Sequence, residues 1–375
     1  MQEANTRMRK ARTMATEFVT DGHPDKVCDQ IADAICDAAI AQDPKSHVAM
    51  EVTGGHGSVV VIGEMTTGAH VDIGKVARET YKSIGHDHDI AVLANVVTQS
   101  GDINAGVGAA EEQGAGDQGI MVGYAINDGP DYMPRSWTLA RALCMKLKEL
   151  RESGRLPYLR PDGKSLVVMD GDRVTHVTLA AHHASGIMLA QIKEDLIELA
   201  VRPVIGELAP DHVAVNGTSK VGGPSMFVQG GFDADAGTTG RKLMIDNYGP
   251  NVEVGGGCYS GKDPSKVDRS AAYFCRLVAK SIVAGGHAPE AVVKVGYTIG
   301  IAEPAYVSVV TSLPEDLAAK LEAHVKAKFN FKPAAMIEQL GLLTPKDWSY
   351  RDTARAGHYG DDRFPWEKVV EISAA

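Results

Sequence analysis

Long apolar runs are missing from this 375-residue chain: nowhere do about 18 apolar residues follow one another, so no membrane-spanning helix is expected. Basic runs are missing as well. With 48 acidic against 38 basic residues the net charge is −10, which argues against a general nucleic-acid binder. Any phosphate site must then be a local gathering of cations. Cysteine is scarce: Cys28, Cys36, Cys144, Cys258 and Cys275 form no Cys-x-x-Cys pair and leave an odd count, the pattern of a reduced protein without a zinc site. The opening residues Met1-Gln-Glu-Ala-Asn-Thr-Arg-Met-Arg-Lys10 lack the apolar core of a signal peptide, and a cytoplasmic location is expected. There is no Gly-x-Ser-x-Gly elbow, His-Glu-x-x-His helix or dinucleotide fingerprint. Cations are many and obvious nucleophiles few. That suits a reaction between two bound substrates in which the protein stabilises a polyphosphate leaving group.

The apolar content of 44% is that of an ordinary globular protein, and the length predicts two or three domains. A pattern recurs three times along the chain. A helix near 25–43 precedes strands at 47–53 and 58–67 and a helix at 72–84. The same order returns as a helix at 136–153, strands at 165–169 and 173–180, and a helix at 187–208. It returns again as a helix at 265–284, strands at 292–299 and 305–311, and a helix at 315–329. The reading is an α+β protein of three similar helix–β-hairpin–helix units, spanning residues 15–100, 111–230 and 231–370. Glycine-rich connections occupy 100–123 and 216–240, and long loops of this kind tend to be functional.

The most informative stretch is Gly255-Gly-Gly-Cys-Tyr-Ser-Gly-Lys-Asp-Pro-Ser-Lys-Val-Asp-Arg269. Asp263 and Pro264 mark a helix start, since Asp caps and Pro fits the first turn. Free backbone N–H groups, the positive end of the helix, Lys262 and Lys266 converge there, which suits a polyphosphate. Asp268, acidic amid cations, is what a phosphate-bound Mg²⁺ would want. A capped surface helix with solvated charges is the alternative. Gly256 to Lys262 also fits the spacing of a P-loop, but Asp263 replaces the Ser or Thr that motif needs on its metal.

Gly22-His-Pro-Asp-Lys26 places an imidazole, a carboxylate and an ammonium at the mouth of the first helix. Asp25, Asp29, Asp33 and Asp37 follow at i, i+4. For Asp33 and Asp37 the expectation is a solvated acidic stripe, and for His23 and Asp25 a functional role. Asp117 lies between glycines in Glu111-Glu-Gln-Gly-Ala-Gly-Asp-Gln-Gly119, either close to a ligand or on a flexible turn. Gly237-Thr-Thr-Gly-Arg-Lys242 pairs a fork-shaped cation with a point charge, suited to phosphate or to an exposed turn. Leu159-Arg-Pro-Asp-Gly-Lys-Ser165 reads first as a turn, with Lys164 functional only by association. His182 and His183 have no ligands nearby at metal spacing and read as structural.

Together, Gly22-His-Pro-Asp-Lys26, Gly114-Ala-Gly-Asp-Gln-Gly119, Thr239-Gly-Arg-Lys242, Gly255-Gly-Gly257 and Gly261-Lys-Asp-Pro-Ser-Lys266 resemble, in order, the signatures of the S-adenosylmethionine synthetase (methionine adenosyltransferase) family. Gly357-His-Tyr-Gly360 and Phe364-Pro-Trp-Glu-Lys368 resemble its C-terminus, so the likeness spans about residues 15–368. The resemblance implies three units about a pseudo-threefold axis. It also implies a homodimer, often paired into a tetramer, with active sites between subunits. The implied reaction joins ATP and L-methionine to S-adenosylmethionine and then splits the triphosphate into phosphate and diphosphate. By matching position, His23 would assist departure of the bridging oxygen, and Asp25 and Asp268 would hold two Mg²⁺ ions. Lys164, Arg241, Lys242, Lys262 and Lys266 would contact the triphosphate, with Glu17, Asp162, Asp235 and Phe227 lining the nucleotide side. Glu64, Gln99 and Asp117 would receive methionine, with Lys266 beside them, and Glu51 would bind one K⁺.

The chain also departs from that pattern. Gly101 stands in Gln99-Ser-Gly-Asp-Ile103 where the family usually has Pro, at the start of a segment, about 99–110, expected to close over bound substrates. Gly85 to Thr98 is short, Asn216 to Phe227 carries an insertion, and Ala180-Ala181 replace a common Ser-Thr pair. Two rival readings stand beside this one: another ATP-using enzyme with the same cation cluster, and a non-catalytic regulatory paralogue that binds a partner synthetase. A tripolyphosphatase or phosphotransferase would consume its substrate without methionine, and a non-catalytic paralogue would have lost His23, Asp25, Lys262 or Lys266.

Overall fold

A computed structural model describes residues 13–99, 113–219, 223–224, 226–250 and 252–372. Gly101 and most of the expected closing segment, together with residues 220–222 and 225 of the insertion, lie outside the described residues. The architecture is α+β. In chain order the main elements are β1 (Thr13–Val19), α1 (Pro24–Ile40), β2 (His47–Gly55), β3 (Ser58–Thr66), α2 (Ile73–Ile84), β4 (Ala91–Val97) and β5 (Gly119–Ile126). Then come α3 (Arg135–Glu152), β6 (Leu159–Asp170), β7 (Arg173–His183), α4 (Leu189–Leu196), β8 (Val213–Val215) and β9 (Gly237–Thr238). The last part holds α5 (Val267–Ala284), β10 (Glu290–Tyr297), β11 (Tyr306–Thr311), α6 (Glu315–Lys328), α7 (Pro333–Leu340) and α8 (Tyr350–Ala356).

Each expected hairpin forms: β2–β3, β6–β7 and β10–β11 pair antiparallel. The sheets nevertheless cut across the linear units. Their strand orders are β9-β2-β3-β4, β1-β6-β7-β8 and β5-β10-β11. The first strand of every hairpin is flanked by an antiparallel strand from a different third of the chain, namely β9 on β2, β1 on β6 and β5 on β10. In two sheets a parallel strand follows the second hairpin strand, β4 on β3 and β8 on β7. The first unit thus lends a strand to the second, the second to the third, and the third to the first. None of the three closes its own sheet.

Helices α1, α3 and α5 lie over these sheets, each against its own hairpin and the lent strand. Helix α1 is buried on almost every side, with Val27, Cys28, Ile31, Ile35 and Cys36 inaccessible to solvent. Its acidic stripe is not solvated as expected: Asp33 is fully buried and Asp37 half-buried, because the Gly261 turn, Arg269 of α5 and the start of α8 cover that face. Helix α5 is buried from Val267 to Val283. Inside it, Arg276 donates to the Glu367 carboxylate at 2.9 and 3.0 Å and to the carbonyls of Tyr124, Tyr132 and Asp131. Trp366 stacks on Tyr273 at 3.7 Å, so the Phe364-Pro-Trp-Glu-Lys368 segment fastens the C-terminal end of the chain to α5. The helix expected over 187–208 is uneven: after α4 the turns widen over Ile197–Val201 and end in Arg202–Ile205. Pro203 has no amide hydrogen to continue the regular ladder there.

A compact aromatic cluster joins α2 to the loop before β9. His86 stacks on Tyr81 at 4.3 Å, Tyr81 stacks on Phe232 at 5.4 Å, and the Tyr81 hydroxyl meets His88 Nε2 at 2.8 Å. Burial, aided by His88 and His182, lowers the His86 pKa from 6.5 to about 4. A histidine held neutral in the fold is protonated first in the unfolded chain, so its contribution is whole above pH 6.5 and is lost as the pH falls toward 4. Melting temperatures at pH 7 and pH 5 test this: wild type should lose more on acidification than His86→Phe, which keeps a ring on Tyr81 but cannot titrate. Equal losses would contradict the assignment.

Candidate active site

The site begins at the mouth of α1. Pro24 opens the helix, and His23 caps it with an extended backbone, its Nδ1 accepting the Asp25 amide at 3.2 Å. Burial, with Lys242 next, lowers the His23 pKa to about 4. The ring is therefore neutral at neutral pH. Because Nδ1 accepts, the proton sits on Nε2, which is a donor. Asp25 is 2% exposed, accepts the Thr238 amide at 2.9 Å and pairs with Lys242 at 2.5 Å, with Arg241 Nε at 3.6 Å. Burial works against this carboxylate, but the hydrogen bonds from Lys242 and Thr238 outweigh it and hold its pKa below the usual range. Lys164 and Asp235 are close enough to act on the His23 ring electrostatically, and Lys164 pairs with Glu17 across β1 and β6 at 3.2 Å.

A second cluster lies at the mouth of α5. That helix starts at Val267, later than the sequence predicts, because the Asp263 carboxylate is engaged by the amides of Val48 at 2.7 Å and Ser265 at 2.8 Å. Asp263 also pairs with Lys266 at 2.5 Å. Lys262 pairs with Asp268, which in turn accepts the Gly257 amide at 2.9 Å. Lys262 lies beside Ala49 of β2, and Ala49 lies opposite Glu64 of β3, so Glu51, Glu64 and Lys262 share one face of that sheet. The Gln99 amide reaches Thr66 Oγ1 at 3.2 Å, next to the end of β3. The glycine loop is pressed against this cluster: a Cβ on Gly116 would stand 2.9 Å from Ser265 O. Asp117 is exposed there, holding the Gln118 amide at 2.7 Å.

The remaining residues fall beside the first cluster. Phe227 stacks on His182 at 5.3 Å, and its carbonyl accepts the His183 amide. Asp162 accepts the Gly231 amide at 2.8 Å and anchors the loop leading to Asp235; burial pushes its pKa up to about 6. Ala181 is gripped at both amide and carbonyl by the Asn216 side chain, at 2.7 and 3.2 Å.

One chain therefore carries two clusters of the expected residues. His23, Asp25, Lys164, Arg241 and Lys242 gather at one. Glu51, Glu64, Lys262, Lys266 and Asp268 gather at the other. Among the described residues no ion pair joins the two, and α1 separates them: Asp33, eight residues or about 12 Å beyond Asp25, is the one that reaches the second cluster. The residues sequence reasoning missed are those beneath the cations, Asp29, Asp33 and Asp246. Their only signal was the i, i+4 spacing of the first two, which reads equally well as a solvated stripe.

Comparison with known proteins agrees along the whole chain. The family model for the N-terminal domain of S-adenosylmethionine synthetase matches residues 11–103, that for the central domain 112–221 and that for the C-terminal domain 229–368. A protein of Thermus thermophilus named S-adenosylmethionine synthase is 43% identical over 397 aligned positions, covering 98% of each chain. One of Syntrophobacter fumaroxidans with the same name is 43% identical over 380 positions, covering 94% of this chain and 95% of its own. This chain belongs to the S-adenosylmethionine synthetase family.

Proposed function

We propose that this protein makes S-adenosylmethionine from ATP, L-methionine and water, with the two clusters described above as the half-sites of its triphosphate and methionine machinery. The observation that carries the reading is the matched arrangement of lysine on carboxylate at both helix mouths, Lys242 on Asp25 and Lys262 on Asp268. Without ligand each pair neutralises itself. A metal-bound triphosphate would exchange the partners, carboxylates turning to metal and lysines to phosphate oxygens.

The methionine sulfur attacks C5′ of the ribose. The S–C bond forms as the C5′–O bond breaks, and the electron pair leaves on the bridging oxygen of the intact triphosphate. A thioether has no proton to remove, so the absence of an activated nucleophile is no obstacle. His23, neutral with its proton on Nε2, donates to the leaving oxygen. Lys164, Arg241, Lys242, Lys262 and Lys266 bear the charge that accumulates there, and the same cations serve the later attack of water that yields phosphate and diphosphate. Glu64 and Asp117 receive the methionine ammonium, Gln99 lies by its carboxylate, and Phe227 packs on adenine with Glu17, Asp162 and Asp235 around the nucleotide.

Among the described residues no three ligating side chains cluster, so a metal would rest on one carboxylate at each mouth plus phosphate oxygens and water. That donor set fits Mg²⁺, with Asp25 and Asp268 as ligands, and Glu51 is the candidate for K⁺. Bound Mg²⁺ would neutralise triphosphate charge and improve the leaving group.

The cyclic lending of β1, β5 and β9 supports a pseudo-threefold arrangement of the three units. A homodimer is supported by the division of the site into halves and by the outer face of the β2–β3–β4 sheet. Ile62, Leu93 and Val97 are 49%, 66% and 56% exposed on the face that bears Glu51 and Glu64. A twofold partner covering this face would bring the first half-site of one subunit to the second half-site of the other.

Asp25→Asn and Asp268→Asn should each lower turnover ~100-fold or more while the protein stays folded, measured as S-adenosylmethionine, phosphate and diphosphate at saturating Mg²⁺. Near-normal turnover in both would contradict the metal assignment. Glu64→Gln and Gln99→Ala should impair methionine use yet spare hydrolysis of added tripolyphosphate, which makes no contact with the amino-acid end. Equal damage to both activities would mean that these residues shape the phosphate site instead.

A further inference from the structure

We infer that Asp29 and Asp33, buried on α1 and one turn apart, are positioning residues that set the two cation-bearing loops; the inference rests on the reading of Lys242 and Lys262 as phosphate cations. The two aspartates use the same device. Asp29 accepts the Gly240 amide at 2.9 Å, and Asp33 accepts the Gly261 amide at 2.8 Å. Each glycine has a left-handed backbone, φ +79° and +82°, and each immediately precedes a cation, Arg241-Lys242 in one loop and Lys262 in the other. Neither position tolerates a side chain easily: a Cβ on Gly240 would lie 2.8 Å from Cys258 Cβ, and one on Gly261 would collide with Met50 O.

Each aspartate also has its own buried cation, and that cation grips the same loop a second time. Lys26 pairs with Asp29 at 3.1 Å and with Asp246 at 2.6 Å, so the segment from Gly240 to Asp246 is held at both ends around Arg241 and Lys242. Arg269 pairs with Asp33 through two nitrogens, at 2.8 and 2.7 Å, and donates to the Lys262 carbonyl at 2.8 Å. The backbone of Gly261-Lys262 is thereby fixed on its amide and carbonyl sides. Asp29 and Asp33 are wholly inaccessible, so neither can touch a substrate. Burying five ionisable groups, Lys26, Asp29, Asp33, Asp246 and Arg269, is a costly way to hold a fold, since apolar residues of similar size often stabilise as well or better. What charges and hydrogen bonds provide here is a fixed direction for each loop. Because the aspartates are one turn apart, the two loops are anchored about 6 Å apart along one rigid helix.

Asp37 supplies an internal control. It lies on the same face one turn further on and accepts the amides of Tyr350 and Arg351 at 2.8 and 2.9 Å, but neither amide leads to a phosphate cation. The test compares Asp29→Ala, Asp29→Asn, Asp37→Ala and Lys242→Met in the full-length enzyme, by melting temperature, tripolyphosphate hydrolysis and the methionine KM. Asp29→Ala leaves Lys26 paired with Asp246, so no buried charge is stranded. It should cut kcat for tripolyphosphate ~10-fold or more, the usual effect of losing an orienting hydrogen bond, with little change in the methionine KM. Asp29→Asn keeps an acceptor for Gly240 and should recover most of that loss. Asp37→Ala should lower the melting temperature and leave kcat per folded molecule unchanged. If Asp29→Ala fails to fold, Gly240→Ala displaces the same amide from the loop side and should give the same kinetic loss. Wild-type kcat in the folded Asp29→Ala or Gly240→Ala enzyme, no recovery in Asp29→Asn, or an equal fall in Asp37→Ala would overturn the inference. Full activity in Lys242→Met would instead overturn the reading beneath it.

Discussion

Four carboxylates on one helix organise this protein. Asp25, Asp29, Asp33 and Asp37 stand one turn apart on α1 and accept the amides of Thr238, Gly240, Gly261 and Tyr350 with Arg351. Those amides belong to three segments of the third unit, around residues 238–240, 261 and 350–351, while α1 belongs to the first. Without the acidic face the segments would have no buried acceptors for their backbone groups, and buried amides without acceptors are strongly disfavoured. The helix is thus a spacer whose pitch sets where the loops sit. The exchange of β9 onto β2 beside it ties the same two thirds together through a sheet. Fold and site depend on one set of contacts.

The second consequence is electrostatic. On the proposed function, a protein of net charge −10 assembles its polyanion site locally, from cations whose charge is balanced before any ligand arrives. Lys242 rests on Asp25, Lys262 on Asp268 and Lys266 on Asp263. Such an arrangement avoids the repulsion of bare clustered cations, and on the proposed function its carboxylates would serve as oxygen ligands for a metal that enters with the phosphates. His23 fits the same logic. Held neutral by burial and by Lys242, it presents a hydrogen-bond donor without adding a further positive charge.

Much of this was legible in the sequence. The three hairpins and the helices that precede them follow from periodicity and turn signals, and the motif order identifies the family. The strands that tie the units together were not legible. β1 stands outside any hairpin pattern, β5 adjoins a glycine-rich segment, and β9 is two residues long, so none has a local signal that marks it as a partner for a remote sheet. Their partners lie far along the chain, and strand propensity reports little about such pairing. The acidic stripe was misread for a physical reason: carboxylates at i, i+4 look the same whether they face water or a row of backbone amides. The α5 start lies at Val267 because Asp263, a good cap by type, closes a separate turn over Ser265 and Lys266 while its other carboxylate oxygen holds Val48. Which residues fall in which cluster could not be read from spacing, since it depends on the length of α1 between two loops remote in sequence.

On the proposed function, both clusters exchange their self-neutralising pairs for a shared triphosphate while the aspartates beneath them stay fixed. A crystal structure of the full-length enzyme with tripolyphosphate and Mg²⁺ measures this directly. The account predicts that Lys242 leaves Asp25 and Lys262 leaves Asp268 for phosphate oxygens, that Asp25 and Asp268 turn to metal, and that the bonds of Asp29 to Gly240 and Asp33 to Gly261 persist. Triphosphate bound elsewhere, with Lys242–Asp25 and Lys262–Asp268 intact, would contradict it.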